Sequence, residues 1–181
     1  MYSDNSLLPR ETVRLAALGA LTMGEMRYGA LAGDVRHFIS RLAGPSLELM
    51  GSSIELLRHE GLVEPTDEGS DEGSDDPMLR ITEAGKSELR ALLSAGVRPP
   101  FNDLNKLVLA LKMRFLHLLD EAGRRDQADL LIEACQTELA RLVDLRGAHH
   151  DEHGHLIDWL DHDIGLVETR LAWLENLRAA L

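Results

Sequence analysis

Cysteine is almost absent from this 181-residue chain. The one thiol, Cys135, has no intramolecular disulfide partner, so no disulfide framework holds the fold and a reducing compartment is expected. Aromatic residues make up only 4%, which argues against a β-sandwich and for helices built from Leu and Ala. No apolar run approaches the roughly 18 residues needed to span a bilayer. Residues Met1 to Pro9 carry neither the basic flank nor the apolar segment of a secretion signal. A cytoplasmic protein with no membrane partner is therefore expected. Basic charge is also short: 19 Lys and Arg stand against 31 Asp and Glu, a net charge of -12. That balance does not suggest indiscriminate attachment to polyanions. Catalytic signatures are missing too. There is no phosphate-binding Gly loop and no Gly-x-Ser-x-Gly turn, and Gly51-Ser52-Ser53 sits inside a helical pattern without a flanking strand. Cys135 falls at an apolar helix position and reads as a packing residue. No enzyme and no cofactor are expected.

What remains is a well-supplied core, with 44% hydrophobic and 28% charged residues. The breaker cluster Ser94-Ala95-Gly96-Val97-Arg98-Pro99-Pro100 divides the chain. The expected parts are 1–93, a linker over 94–101, and 102–181. In the first part, Thr12 to Leu21 reads as a helix with Pro9 in its first turn. Leu31, Val35, Phe38, Ile39 and Leu42 mark a second helix, and Leu47, Met50, Ile54 and Leu57 a third. Ser46 is the N-cap expected for the third helix, and Gly61 its stop. Leu62-Val63-Glu64 and Met78-Leu79-Arg80-Ile81 are strand candidates, and Thr82 caps a helix from Glu83 to Leu93. A helix-turn-helix followed by a two-stranded hairpin makes a winged helix, one option among several small mixed folds on periodicity alone.

The second part is helical throughout. Leu104, Leu107, Val108, Leu111, Phe115 and Leu118 share one face, and Leu131, Cys135, Leu139 and Leu142 another. Ile157, Leu160, Ile164, Val167, Leu171 and Leu174 then follow an a/d heptad. Trp159, Leu166 and Trp173 form a second stripe seven residues apart. One neighbour cannot cover two apolar faces, so this helix is expected to pack on its own chain on one side and on a partner on the other. The heptad residues are the expected dimerisation set. Trp159 and Trp173 are candidates for lining an effector pocket at that interface, with ordinary packing the plainer reading.

Three segments carry a resemblance. Ile54-Glu55-Leu56-Leu57-Arg58-His59-Glu60-Gly61-Leu62-Val63-Glu64 resembles the end of a recognition helix running into a wing. Leu79-Arg80-Ile81-Thr82-Glu83-Ala84-Gly85-Lys86 resembles a second wing strand and the helix after it. Glu168-Thr169-Arg170-Leu171-Ala172-Trp173-Leu174-Glu175-Asn176-Leu177 resembles a C-terminal dimerisation helix. Together they are similar to the PadR family of transcriptional regulators. The resemblance implies a mainly α fold: an N-terminal winged helix-turn-helix with a two-stranded wing, plus an all-α dimerisation domain. It also implies a homodimer that binds double-stranded operator DNA as a repressor. Gly51-Ser52 stands where the family usually has Tyr-Pro, and Tyr28-Gly29 where it often has Gly-Tyr. The wing is acidic, with seven acids and no base from Glu64 to Asp76, where the family's is usually basic.

Phosphate neutralisation by Lys and Arg supplies most DNA affinity. Residues 1–93 hold nine Lys and Arg against sixteen Asp and Glu, and the stretch 64–76 supplies the whole excess. Its repeat Asp67-Glu68-Gly69-Ser70, Asp71-Glu72-Gly73-Ser74 reads as a tolerated loop insertion, with an electrostatic gate as the sharper alternative. Expected DNA contacts are Ser46, Ser52 and Ser53 on the third helix, Arg27, Arg36 and Arg41 from the second, and Arg58 and Arg80 at its flanks. Ser52 is expected to be the better exposed of the two inner serines. Five of the eight histidines fall between 149 and 162. His149 and His153, four apart, are the metal candidates, but their spacing matches no zinc motif and a solvated polar turn is expected. The function expected is a dimeric DNA-binding repressor with a candidate small-molecule effector. The alternative is a winged-helix homodimeric interaction protein that has lost operator binding.

Overall fold

The computed structural model describes residues 9–43, 50–66, 76–97 and 103–181. Helix α1 (Pro9–Leu21) is the hub of the first half. Val13, Leu15, Ala16, Ala17, Leu18, Ala20 and Leu21 are all buried, so this helix is covered on nearly every side. Strand β1 (Met26–Arg27) leads into α2 (Tyr28–Ala43), followed by α3 (Met50–His59), β2 (Val63–Pro65), β3 (Met78–Ile81) and α4 (Glu83–Ser94). The strands form one antiparallel sheet in the order β1-β3-β2. The sheet has one strand more than the hairpin expected from the sequence. Two residues cannot display a period of two, and β1 becomes a strand only by pairing Met26 with Leu79 and Arg27 with Met78. Pro65, which has no N–H to donate, lies on the edge strand β2.

The turn from α3 into the wing is closed by the backbone. Gly61 N–H donates to Arg58 O at 3.0 Å and Leu62 N–H to Leu57 O at 2.9 Å, with Gly61 at φ +71. A β-carbon is disfavoured at that left-handed position, so glycine ends the helix there. Thr82 joins this turn to α4. Its hydroxyl donates to Gly61 O at 2.8 Å and accepts from Gly85 N–H at 3.0 Å as the N-cap. Helix α4 comes so close to the turn that a Cβ on Gly85 would overlap the Leu62 carbonyl.

Helix α5 (Asp103–Phe115) continues into a 3-10 turn over Leu116–Leu118. Its Leu107, Val108, Leu111 and Phe115 are buried in the same cluster as α1, Leu31, Val35, Ile39, Ile54 and Leu57. Phe115 lies against Gly19 of α1, and Arg114 pairs with Asp34 of α2 at 3.1 Å while lying over the rings of Phe38 and Phe115. Leu42, expected inward on α2, is exposed at the end of that helix.

Helices α6 (Glu121–Ala148) and α7 (Leu156–Ala180) form a hairpin. Helix α6 starts at Glu121, ten residues before the apolar face opens at Leu131, and Asp120 caps it there by accepting from Gly123 N–H at 2.8 Å. Leu131 and Cys135 pack with Val167 and Leu174. Ion pairs Arg146–Asp161 and Arg178–Asp129 brace the hairpin. Leu177 and Leu181, at the far end of α7, pack on the first cluster. Among the described residues, no helix is long and apolar enough to cross a membrane.

Candidate nucleic-acid interface

In α3, Ile54 and Leu57 face the core, which turns the residues between and after them outward. Glu55, Leu56, His59 and Glu60 are exposed, and Leu56 keeps 51% of its surface open. Sequence reasoning did not single out Glu55, Leu56 or His59. The signal was available: Leu56 stands about 200° round the helix from Ile54, out of phase with the buried stripe. Ser46, the expected N-cap and contact residue, lies outside the described residues. Ser52 and Ser53 fall within α3, Ser52 four residues before Leu56, and their side chains lie outside the described set.

A groove of about 440 Å³ runs between α3 and β2, lined by Glu55, Arg58, His59, Gly61, Val63, Glu64 and Pro65. Each expected cation at this end has an acceptor from its own chain. Arg58 lies 3.6 Å from Glu55, one turn back along the helix. Arg80 Nε donates to Glu64 Oε1 at 2.8 Å, and the two are direct cross-strand partners in the β2–β3 register. Arg27 belongs to β1 and not, as expected, to the second helix; its Nη1 donates to the Asp76 carbonyl at 3.1 Å. Pairing of β1 with β3 starts α2 only at Tyr28 and leaves Arg27 before it. Arg36 and Arg41 do lie on α2, are exposed, and make no hydrogen bond or ion pair among the described residues.

Asp76, the last acid of the acidic stretch, has a structural task. Its Oδ1 accepts from Gly29 N–H at 2.7 Å, at the amino end of α2. A carboxylate there satisfies an orphan donor and meets the positive end of the helix dipole.

The heptad residues of α7 divide in two. Leu160, Val167 and Leu174 are buried within the single chain, and Ile157, Ile164 and Leu171 are half-buried. The α6–α7 pairing therefore already occupies much of the set expected to serve a dimer. The open face is the other stripe: Trp159 is 56% exposed, Leu166 51% and Trp173 50%. The hollows described within the chain lie elsewhere, beside β2, at the α1–β1 turn next to Arg114, and between Val97 and α6. Neither Trp159 nor Trp173 lines them.

At the α6–α7 turn, His149 Nδ1 lies 2.6 Å from Glu152, and His155 Nδ1 lies 3.2 Å from Asp158. His153 is exposed. Among the described residues, no three His, Cys, Asp or Glu side chains gather around a common point for a metal ion.

One buried charge was not anticipated. Lys112 on α5 is fully buried, and the three N–H groups of its Nζ are shared among Leu93 O at 2.6 Å, Ala95 O at 2.6 Å, Gln127 Oε1 at 2.9 Å and, more distantly, Leu92 O at 3.3 Å. Gln127 Nε2 in turn donates to Ser94 O at 2.9 Å. The amine thus gathers carbonyls at and just past the end of α4 and ties them to α5 and α6. Burial pushes its pKa down to about 7. A lysine at a position bracketed by Val108, Leu111 and Phe115, inside the apolar stripe, is the signal that marks it.

Comparison with known proteins covers almost all of this architecture. Residues 2–178 match the family described as "Putative AphA-like transcriptional regulator". No curated protein matches the chain. Among solved structures, smu.1604c from Streptococcus mutans UA159 is 15% identical with a TM-score of 0.40, covering 96% of this chain and 99% of that one. Bacillus subtilis PadR in complex with operator DNA is 17% identical with a TM-score of 0.41, covering 96% of this chain and all of that one. Helices α1 to α4 with their small sheet form a winged helix, a helical C-terminal region follows, and the family match spans both; the chain belongs to the AphA-like family of transcriptional regulators.

Proposed function

We propose that the chain is a homodimeric, DNA-binding transcriptional repressor that acts in the cytoplasm. In this reading α3 enters the major groove, Arg36 and Arg41 of α2 meet phosphates, and α7 pairs with α7 of a second copy. The portion 1–93 serves DNA binding, 94–101 connects, and 102–181 serves dimerisation, with α5 lending its apolar face to the first core. The observation that carries the reading is the match of residues 2–178 to a family of transcriptional regulators. It is supported by an outward face of α3 and by two arginines on the preceding helix that have no partner among the described residues. Phosphate-contacting Arg fix register and orientation while the recognition helix reads base edges. Recovery of specific fragments by the full-length chain from genomic DNA, with retention that falls as salt rises, tests it. Salt-independent or absent retention removes it.

The pairing reading rests on the α7 stripe. Three large apolar side chains seven residues apart and half open in one chain are what a second helix covers. Trp159→Ser together with Trp173→Ser should convert a sedimenting dimer to a folded monomer. Truncation after His155 is a poorer test, because it also strips Leu160, Val167 and Leu174 from α6.

A second reading is favoured by one set of contacts. Three of the five arginines expected at DNA, Arg27, Arg58 and Arg80, are held by acceptors of their own chain. A winged helix so neutralised suits an interaction module working through its dimer surface, and that module would show no salt-dependent retention on DNA.

A further inference from the structure

We propose that Glu64 and Glu55 are internal phosphate substitutes: they occupy Arg80 and Arg58 beside the α3–β2 groove and thereby set the discrimination between fitted and unfitted DNA. The inference rests on the DNA-binding reading above and adds to it the residues that tune specificity.

The Glu64–Arg80 contact is built by the sheet. The two residues are opposed Cα partners of β2 and β3, so strand register holds the carboxylate against the guanidinium at 2.8 Å. Glu55–Arg58 is built by helix periodicity, three residues apart on α3. Glu55, Arg58 and Glu64 all line the same groove. Each pair is a single contact, Arg80 Nε to Glu64 Oε1 at 2.8 Å and Arg58 Nη1 to Glu55 Oε2 at 3.6 Å, in which the carboxylate offsets the charge that a phosphate would otherwise meet. A DNA backbone at the groove therefore meets guanidinium groups whose charge a neighbouring carboxylate already offsets, and gains most where it takes the carboxylate's place.

Exposed pairs of this kind are individually weak, so displacement costs little where shape and contacts elsewhere hold the duplex in place. A duplex held only by charge gains almost nothing, because the two arginines arrive already neutralised. Arg36 and Arg41 carry no such acceptor among the described residues. The cations are thus divided between two that attract any backbone and two that respond to a fitted one. Specificity is a difference of affinities, and suppressing the unfitted state raises it as surely as improving the fitted one.

The test uses the full-length chain and a mixed-sequence 30-base-pair duplex read by fluorescence anisotropy at low and physiological salt. Glu64→Gln should raise affinity for this non-specific duplex roughly two- to fivefold at low salt. The slope of log affinity against log salt should steepen by about 0.9 for each further phosphate that an arginine neutralises. In an Arg80→Gln background, Glu64→Gln should give no gain. Glu55→Gln should behave likewise and depend on Arg58. An unchanged affinity in Glu64→Gln overturns the proposal. So does an equal gain in the Arg80→Gln background, which would mean a general charge effect. If the parent chain and every variant fail to bind any duplex, the DNA-binding reading falls and takes this inference with it. Binding by the parent without the Arg-dependent gain overturns this inference alone. Glu55 is exposed and Glu64 half-buried with its side chain 46% open, so thermal midpoints of the variants should stay within a few degrees of the parent.

Discussion

Asp76 Oδ1 accepts the Gly29 backbone N–H at 2.7 Å across 47 positions of sequence, so the last acid of the wing's acidic stretch holds the amino end of α2, the helix before α3. Asp76→Ala should cost about 1 kcal/mol, the usual loss for a capping side chain, and Asp76→Asn should recover part of it. A denaturant midpoint series over the three proteins checks this. If Asp76→Ala matches the parent, the carboxylate contributes nothing to α2.

The cap also dictates how the acidic stretch is tested. Replacing residues 67–75 with a short neutral turn, while keeping Asp76, should strengthen binding to mixed-sequence DNA at low salt. The gain should fade toward physiological salt, where screening acts over about 8 Å. Equal affinity at low salt leaves those residues as a tolerated insertion. A replacement that includes Asp76 would mix the loss of α2's cap into the result.

Lys112→Met should be costly. The variant leaves Leu93 O, Ala95 O and Gln127 Oε1 without their shared donor in a buried site, a loss of about 2–5 kcal/mol. The pH dependence has a definite sign. The folded amine titrates near 7, below the ordinary value of 10.5 that it regains on unfolding. Between those values the unfolded chain binds more protons, so this group's contribution to stability rises with pH from about 7 to 10.5 and is flat below. The parent's margin over Lys112→Met should widen across that window in parallel denaturation curves. A constant margin would mean that the amine is not depressed.

Two glycines test the close packing. Gly85→Ala would place a methyl on the Leu62 carbonyl, and Gly19→Ala would place one on the Phe115 ring. Each should lose about 1–3 kcal/mol, with Gly85→Ala the worse because its obstacle is backbone. Gly33, whose Cβ direction is open, is the control: Gly33→Ala in mid-helix should gain a few tenths to 1 kcal/mol.

Most of the helical order was legible because the pattern that makes a helix amphipathic is written locally. Leu31, Val35 and Ile39 or Leu107, Leu111 and Phe115 show it without any knowledge of their partners. The Thr82 cap and the Gly61 stop were legible for the same reason, since each acts within a few residues of itself. What stayed hidden depends on residues far apart. Strand β1 exists because Met26 meets Leu79. Asp76 has its role because the chain returns to Gly29. The α7 heptad was readable as apolar, but periodicity does not say whether the neighbour is α6 or another copy. The structure buries Leu160, Val167 and Leu174 inside the chain and leaves Trp159, Leu166 and Trp173 open. The arginines were visible as charges, while their neutralisation by Glu55 and Glu64 depends on helix phase and strand register.

The knot of hydrogen bonds at Lys112 bears on cooperativity. It joins the last turn of α4 to α5 and α6, while Phe115 lies on α1 and Leu177 and Leu181 of α7 return to the same cluster. No layer can melt without uncovering the next, so heating should give one transition whose calorimetric and van't Hoff enthalpies agree. If a second copy binds along α7, as proposed, it would stabilise the winged helix as well, because every ligand of the folded state draws on the same unfolding equilibrium. DNA held at α3 would in return protect the distant α6–α7 hairpin against unfolding, with no moving part between them.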